Sequence, residues 1–163
     1  MVATRPKFQR KRIRLDLDVY RQVNVASLTL CTFERKQAFL SPGWVNYCLA
    51  VLQRISDKHN VSVLAYCFMP DHIHFLVHNA GRSSIVSFTK DFKQLTGFHY
   101  KRQTGGQLWQ KSYYDHFLRR DEDVVVVARY IFGNPVRAGL VAEASRYPFS
   151  GSFAWGRAAV VEG

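Results

Sequence analysis

The spacing of apolar positions marks strands in the first half of the chain. Residues 72–79 (HIHFLVHN) alternate apolar and polar side chains, which predicts a strand with one buried face. Residues 61–69 (VSVLAYCFM) are almost all apolar and predict another strand, with a tight turn at Pro70-Asp71 between the two. Residues 20–33 are rich in β-branched and apolar side chains and predict an earlier strand. The 61–69 and 72–79 strands are expected to pair antiparallel.

Helical spacing of apolar residues appears in two other stretches. Ser41 suits the N-cap of a helix and Pro42 suits its first position, and that helix is expected to end near His59-Asn60. Residues 83–101 carry apolar side chains on one face and lysines elsewhere, which predicts an amphipathic helix.

The second half of the chain predicts one more strand and one more helix. Residues 108–118 (LWQKSYYDHFL) are aromatic and predict a fourth strand. Three acidic residues, 121–123, then stand where a helix N-terminus favours negative charge, although the run Val124–Val127 favours a strand. We predict a helix that ends near Asn134, because Pro135 disfavours helical backbone at the residue before it.

This order of elements, β-α-β-β-α-β and a final helix, predicts an α+β fold of the ferredoxin-like (split βαβ, RRM-like) type. An antiparallel sheet would carry helices on one face and leave the other free for a site. The 163 residues (18.8 kDa) fit one domain, expected over residues 19–155. A basic arm (residues 1–18) would precede it and a tail (residues 156–163) would follow.

Composition narrows the class of protein. Hydrophobic residues make up 47% of the chain, which argues against intrinsic disorder, and no apolar run approaches the length of about 20 residues that a membrane span needs. The basic N-terminus has no apolar segment of a signal peptide after it. The cysteines (Cys31, Cys48, Cys67) lie far apart in apolar stretches and are interpreted as reduced thiols. We therefore expect a cytoplasmic protein without a membrane partner.

Net charge indicates a polyanionic partner. Lys and Arg number 23 against 12 acidic residues, giving +11 and a pI near 9.9. The basic residues cluster, and in the second half they are interleaved with aromatic residues, a mixture that suits single-stranded nucleic acid. The predicted DNA-binding residues are Arg10, Lys11, Arg12, Arg14, Lys90, Lys93, Lys101, Arg102, Trp109, Lys111 and Arg119.

Two histidines form the first candidate site. His72 and His74 are two apart on a strand and therefore share a face, where side-by-side imidazoles are half of a metal-ligand set. Alternatively, they are surface histidines without a partner. A histidine-triad nucleotide hydrolase is disfavoured because Leu76 stands where its third histidine is needed. A structural zinc site is disfavoured as well, since no further Cys or His lies at zinc-finger spacing.

A second candidate is the pair Tyr130 and Asn134, which are four apart and would share a helix face. They are either a nucleophile and a metal ligand, or a core tyrosine and a helix-ending asparagine. Tyr113 and Tyr114 are rival tyrosines on the fourth strand, where at least one is expected to be exposed.

Three strings taken in order resemble the single-tyrosine HUH transposases of bacterial insertion sequences (insertion sequence 200 type), and among these the REP-associated tyrosine transposases. MPDHIHFLV is similar to the metal-binding HUH strand, LWQKSYYDHFLRRDED to the WQ…DH…R stretch, and YIFGNPVRAGLV to the tyrosine helix and the string after it. The resemblance covers roughly residues 20–150. Residues 115 and 116 match the DH of that motif without an assigned role.

The resemblance implies roles for four residues. His72 and His74 become the HUH metal ligands, Asn134 a third ligand where mobile relatives carry Gln, and Tyr130 the nucleophile. It implies Mg2+ or Mn2+ as cofactor and a transposase-like endonuclease that cleaves and rejoins single-stranded or hairpin DNA, such as a REP palindrome. A 5′-phosphotyrosine intermediate would carry the strand, and the protein would act as a monomer or homodimer.

Two other functions compete with this one. A catalytically inactive or domesticated nucleic-acid-binding domain on the same fold is the alternative, although no HUH histidine or tyrosine is lost here and HIHFLVHN does not match the aromatic string of RRM proteins. A replication-initiator nickase usually needs a further domain, for which this chain leaves no room.

Overall fold

A computed structural model describes residues 24–79 and 82–155 of the chain. The predicted arm (residues 1–18), the tail (residues 156–163) and the start of the first predicted strand lie outside these ranges. The principal elements are β1 (Asn24–Cys31), α1 (Pro42–His59), β2 (Ser62–Met69), β3 (His72–Asn79), α2 (Arg82–Thr104), β4 (Tyr114–Phe117), α3 (Val124–Phe132), α4 (Asn134–Arg137) and β5 (Ser150–Gly151).

In the described part of the chain the strands form one antiparallel sheet in the order β4-β1-β3-β2-β5. The four strands that precede β5 have the order of a split βαβ unit, which confirms the ferredoxin-like prediction. The short β5 pairs with the outer edge of β2 and extends the sheet beyond that pattern. A register shift between Val63 and Ala65 marks a bulge in β2, and it changes which side chains of that strand face each side of the sheet.

Helix α1 begins and ends as its sequence predicts. Ser41 is the N-cap with extended backbone, and Pro42 occupies the first turn, where its missing N–H is not needed. Asn60 ends the helix in the left-handed conformation (φ 51°), in which its backbone N–H caps the last turn. The chain can therefore turn directly into β2.

The sheet is covered on both faces. Helices α1 and α2 pack on one face, where Leu28, Phe75 and Phe92 belong to the larger buried cluster. Helix α3 packs on the other face, where Leu76 and Phe132 belong to a smaller cluster. Helix α3 thus covers the face that the fold prediction left for a site, because the apolar side of α3 needs burial as much as those of the first two helices do.

Two element boundaries differ from the prediction. The fourth strand has only four paired residues, because Trp109 makes an isolated bridge to Thr32 and the chain between Trp109 and β4 leaves the sheet. Helix α3 stops at Phe132, before a separate helical turn that begins at Asn134. Pro135 has no N–H to donate to the carbonyl four residues earlier, which interrupts the helix. Among the described helices, none is both long and apolar enough to cross a bilayer.

Candidate active site

The two histidines of β3 lie side by side on the sheet face that α3 partly covers. Their Nε2 atoms are 3.1 Å apart and their rings are perpendicular, with centroids separated by 4.8 Å. Their neighbours on the strand, Ile73 and Phe75, point into the core beneath α1 and α2. The predicted orientation of His72 and His74 is therefore the one observed.

Each histidine has a partner at its second ring nitrogen. His72 Nδ1 lies 2.6 Å from Asp71 Oδ1, and His74 Nδ1 lies 3.1 Å from the Thr29 hydroxyl on β1. With an Nδ1–H donated to each of these oxygens, both Nε2 atoms would present a lone pair to the same point. Metal-binding histidines in proteins are usually oriented by such partners.

Arg35 fixes the carboxylate that holds His72. Its Nε donates to Asp71 Oδ2 at 2.9 Å, and another guanidinium nitrogen contacts the Cys31 sulfur. Arg35 and the residue before it, Glu34, adopt left-handed backbone (φ 55° and 53°), an uncommon conformation for side chains of this kind. Burial raises the pKa of Asp71, but the hydrogen bond and charge of His72 and the Arg35 guanidinium outweigh it, so the pKa lies below its ordinary value.

Burial lowers the pKa of His74 to about 4, and the charges of His72, Arg137 and Arg35 act in the same direction. His74 is therefore a neutral imidazole near neutral pH. A neutral ring is the form that can ligate a metal. One of the charges that lower this pKa belongs to Arg137, a residue of α4.

Tyr130 and Asn134 are brought together by Arg137. The Arg137 guanidinium carbon lies 3.8 Å from the centre of the Tyr130 ring, and Nη2 of the same group donates to Asn134 Oδ1 at 2.8 Å and to the Tyr130 carbonyl. Tyr130 is 52% exposed and lies near the end of α3, whereas Asn134 opens the next helical turn. The two residues thus stand on either side of the break at Gly133 and not on one continuous helix.

The donor groups fit a divalent metal. Two imidazole nitrogens converge at His72 and His74, and the amide of Asn134 offers an oxygen; its Nδ2 is a buried donor without a hydrogen-bond partner. In the described residues no group of three or more His, Cys, Asp or Glu side chains is placed to hold a metal ion. Asn134 Oδ1, a neutral oxygen, remains the candidate third ligand that the family resemblance implies.

The predicted DNA-binding residues have different environments. Lys90, Lys101, Arg102, Lys111 and Arg119 are exposed. Four of the others, Arg10, Lys11, Arg12 and Arg14, lie outside the described residues. Lys93 is half-buried: its ammonium donates to the carbonyls of Gln110 (2.8 Å) and Lys111 (3.1 Å), and burial lowers its pKa.

Trp109 lies in the core and not on the surface. Its indole N–H donates to the Thr96 hydroxyl at 2.9 Å, and its ring packs between Phe39 and Phe92. Phe98 is the exposed aromatic of this region at 64%, with the Arg102 guanidinium 5.8 Å above its ring. Phe98 on α2 therefore presents an exposed aromatic ring, as does Tyr114 on β4 (72% exposed).

Three partners of the site were not singled out from the sequence. Asp71 was interpreted only as a turn residue, although its place directly before His72 was a usable signal. Thr29 becomes a partner only through the register of β1 with β3, which places it opposite His74. Arg137 is seven residues after Tyr130, and the break at Gly133 lets it fold back over the ring.

Three known proteins are similar to this chain in sequence or in fold. A Haemophilus influenzae protein assigned as a REP-associated tyrosine transposase is 26% identical over 134 residues, 75% of this chain and 76% of the relative. A solved REP-associated tyrosine transposase bound to a REP hairpin is similar in fold (TM-score 0.59, 18% identity, 92% of this chain and 82% of the other). So is the crystal structure of a protein assigned as a transposase from Deinococcus radiodurans R1 (TM-score 0.52, 20% identity, 76% and 95%).

A family model gives the assignment. The model described as "Transposase IS200 like" matches residues 23–134, more than half of the chain. That range includes both histidines of β3, Tyr130 and Asn134. The chain therefore belongs to the family of IS200-like transposases.

Proposed function

We propose that this protein cleaves and rejoins a DNA strand through a covalent link to Tyr130. The observation that carries the proposal is the convergence of the two Nε2 atoms of His72 and His74, 3.1 Å apart, on the sheet face that the tyrosine helix covers. The reaction expected of this family is attack on a phosphodiester by a single tyrosine, with a metal ion held by a pair of histidines.

His72, His74 and Asn134 would hold the metal, which we propose to be Mg2+ or Mn2+. When bound, such an ion polarises the scissile phosphate and stabilises the charge that develops on it. Asp71 and Thr29 keep the two rings oriented, so their contribution is to prepare the ligands before DNA arrives.

Tyr130 would supply the nucleophile. Its hydroxyl oxygen attacks the phosphorus, the phenolic proton leaves to solvent, and the bond to the 3′ oxygen breaks with that oxygen taking up a proton. The product is a 5′-phosphotyrosine and a free 3′ hydroxyl. Because one phosphodiester replaces another, the reverse attack can rejoin strands without ATP. The partly exposed ring of Tyr130 suits this task, since the phosphate has to reach it from outside.

The DNA is proposed to be single-stranded or hairpin DNA, of the REP hairpin kind bound by the solved relative. Support comes from the net charge of +11, which suits a polyanion, and from an open groove of about 530 Å³ between the C-terminal half of α2 and the loop that follows it. Lys101 and Phe98 line this groove, so a cation and a stacking surface stand together. The protein is proposed to act as a monomer or a homodimer.

The experiment uses a 3′-labelled hairpin oligonucleotide with single-stranded flanks, because the strand bonded to Tyr130 keeps the 3′ end, and it is incubated with the full-length protein and Mg2+ or Mn2+. A band shift that survives denaturant reports the covalent adduct. We expect Tyr130→Phe to abolish the adduct while leaving hairpin binding intact. Tyr114→Phe is the matched control, because Tyr114 is 72% exposed on β4 and loses the same hydroxyl.

Two results would contradict the proposal. If Tyr130→Phe still forms the adduct and Tyr114→Phe does not, the nucleophile lies on β4. If the wild-type protein binds the hairpin but forms no adduct with either metal, the alternative of a non-catalytic DNA-binding domain is favoured.

A further inference from the structure

Arg137 contacts both Tyr130, the proposed nucleophile, and Asn134, a proposed metal ligand, although it has no role in the reaction proposed above. Its guanidinium lies over the Tyr130 ring at 3.8 Å and donates to the Tyr130 carbonyl and to Asn134 Oδ1. The side chain is nevertheless exposed. One cation thus touches two proposed catalytic groups and remains accessible to a phosphate.

Gly133 makes room for this arrangement. A Cβ built on Gly133 would lie 2.6 Å from a guanidinium nitrogen of Arg137, well inside contact distance, and 3.3 Å from the Arg129 carbonyl. Any side chain at this position would therefore displace the guanidinium. The break between α3 and α4 supplies both the turn and the space by which Arg137 returns to Tyr130.

The amide of Asn134 is held in one orientation. Its oxygen accepts from Arg137, and its Nδ2 is buried without a hydrogen-bond partner. A half-turn of the amide would exchange the two atoms and set an N–H donor against the guanidinium. Arg137 therefore fixes an orientation that leaves a buried donor unsatisfied, which is an unfavourable state.

We propose that Arg137 is a positioning residue. In the DNA-free protein it holds Asn134 and Tyr130 through its contacts to both, an arrangement that we call the latch, and it releases Asn134 when it binds a DNA phosphate. The latch occupies the amide oxygen that the metal needs. A guanidinium binds phosphate through charge-assisted, often bidentate hydrogen bonds, which are stronger than its bond to a neutral amide. DNA would therefore free the third ligand as it docks. This inference rests on the proposed function.

The test measures Mn2+ affinity of the DNA-free, full-length protein by electron paramagnetic resonance titration. Arg137→Met keeps the length of the side chain but removes the charge and the donors. We expect it to tighten Mn2+ binding by at least about fivefold. In the Asn134→Ala background the same substitution is expected to have a much smaller effect, since no oxygen is left to release.

The comparison between the two backgrounds separates a latch from a simple charge effect. Equal tightening with and without Asn134 would overturn the latch, because the loss of a nearby positive charge alone would then explain it. Arg146→Met is the control for the loss of one charge elsewhere, since Arg146 is exposed and its nearest ion-pair partner is Glu143 at 3.7 Å. Thermal melts of each variant check that the fold is retained.

Gly133→Ala provides a second test that keeps the charge. It is expected to displace the guanidinium, to tighten Mn2+ binding in the same direction, and to lower the yield of the tyrosine adduct because the Tyr130 ring is no longer held. Unchanged metal affinity and adduct yield would overturn the latch. A wild-type protein that binds no Mn2+ would overturn the metal site and the latch together, whereas metal binding without coupling would overturn the latch alone.

Discussion

Thr29 and His74 face each other across β1 and β3, and the threonine hydroxyl lies 3.1 Å from the Nδ1 atom of the histidine. The neighbouring strand therefore determines how the imidazole is oriented. With its Nδ1–H donated to Thr29, His74 has its lone pair at Nε2, the atom that lies 3.1 Å from His72.

Thr29→Val should weaken metal binding without unfolding the protein. Valine has nearly the same shape, but it removes the acceptor for His74 Nδ1, and loss of such a partner typically costs 10–100-fold in metal affinity. We expect about a tenfold loss in a Mn2+ titration. Thr29→Ser should restore the affinity, and Ser27→Ala, two residues earlier on β1, should leave it unchanged. Wild-type affinity in Thr29→Val would show that His74 needs no orienting partner.

Asp71→Asn should make the protein less stable near neutral pH, and the difference should vanish in acid. The folded pKa of Asp71 lies below its ordinary value, so its stabilising contribution is present above the unfolded pKa of about 3.9 and is lost as the pH falls through the folded pKa. We expect Asp71→Asn to lower the free energy of unfolding by about 1 kcal/mol at pH 7. Urea unfolding of the wild type and of Asp71→Asn at pH 7 and pH 3 measures this difference in the free energy of unfolding. A difference that grows in acid would contradict a stabilising role for the Asp71 carboxylate.

Much of this fold follows from local signals in the sequence. The turn at Pro70-Asp71 marks where β3 begins. The alternation after it places both histidines of β3 on one face, because successive side chains of any strand point to opposite faces. Asp123 accepts from the Val125 N–H at 2.9 Å, so an N-cap overrides the strand preference of the valine run that follows it. Local chemistry was sufficient in both places.

The side chains that contact the site residues could not be predicted from local sequence, because their contacts depend on the tertiary structure. Thr29 meets His74 only through strand register, and Arg137 meets Tyr130 only through the break that Pro135 introduces. Trp109 was grouped with the DNA-binding residues because aromatic residues among cations suit both a core strand and a stacking surface. Its hydrogen bond to Thr96 is a contact between distant positions, which no local pattern contains.

Trp109→Phe should lower stability and leave DNA binding unchanged. The substitution removes a buried N–H···O bond and part of a ring that packs on Phe39 and Phe92, so we expect a loss of about 1–3 kcal/mol in the free energy of unfolding. Hairpin affinity, measured by fluorescence anisotropy below the melting range, should match the wild type. A large loss of affinity with unchanged stability would indicate that Trp109 contacts the DNA, as the sequence predicted.

Phe98→Ala should show the opposite behaviour. Its ring is 64% exposed, so its removal should change the stability by less than about 0.5 kcal/mol. If a base stacks on this ring, single-strand affinity should fall by about 1–3 kcal/mol. Phe98→Tyr keeps the aromatic face and should retain the affinity, and wild-type affinity in Phe98→Ala would remove the ring from the proposed DNA surface.

Lys101→Met should change the salt dependence of DNA binding, which Phe98→Ala should leave as it is. Lys101 is exposed on the same groove, and each phosphate contact that is lost lowers the slope of log affinity against log salt by about one. Stacking releases no counterion, so the two variants should weaken binding through separable quantities. The measurement is a series of anisotropy titrations from low to moderate salt on one oligonucleotide. A slope unchanged by Lys101→Met would place the phosphate path elsewhere, whereas a slope reduced equally by both variants would mean that Phe98→Ala displaces the strand from the whole groove.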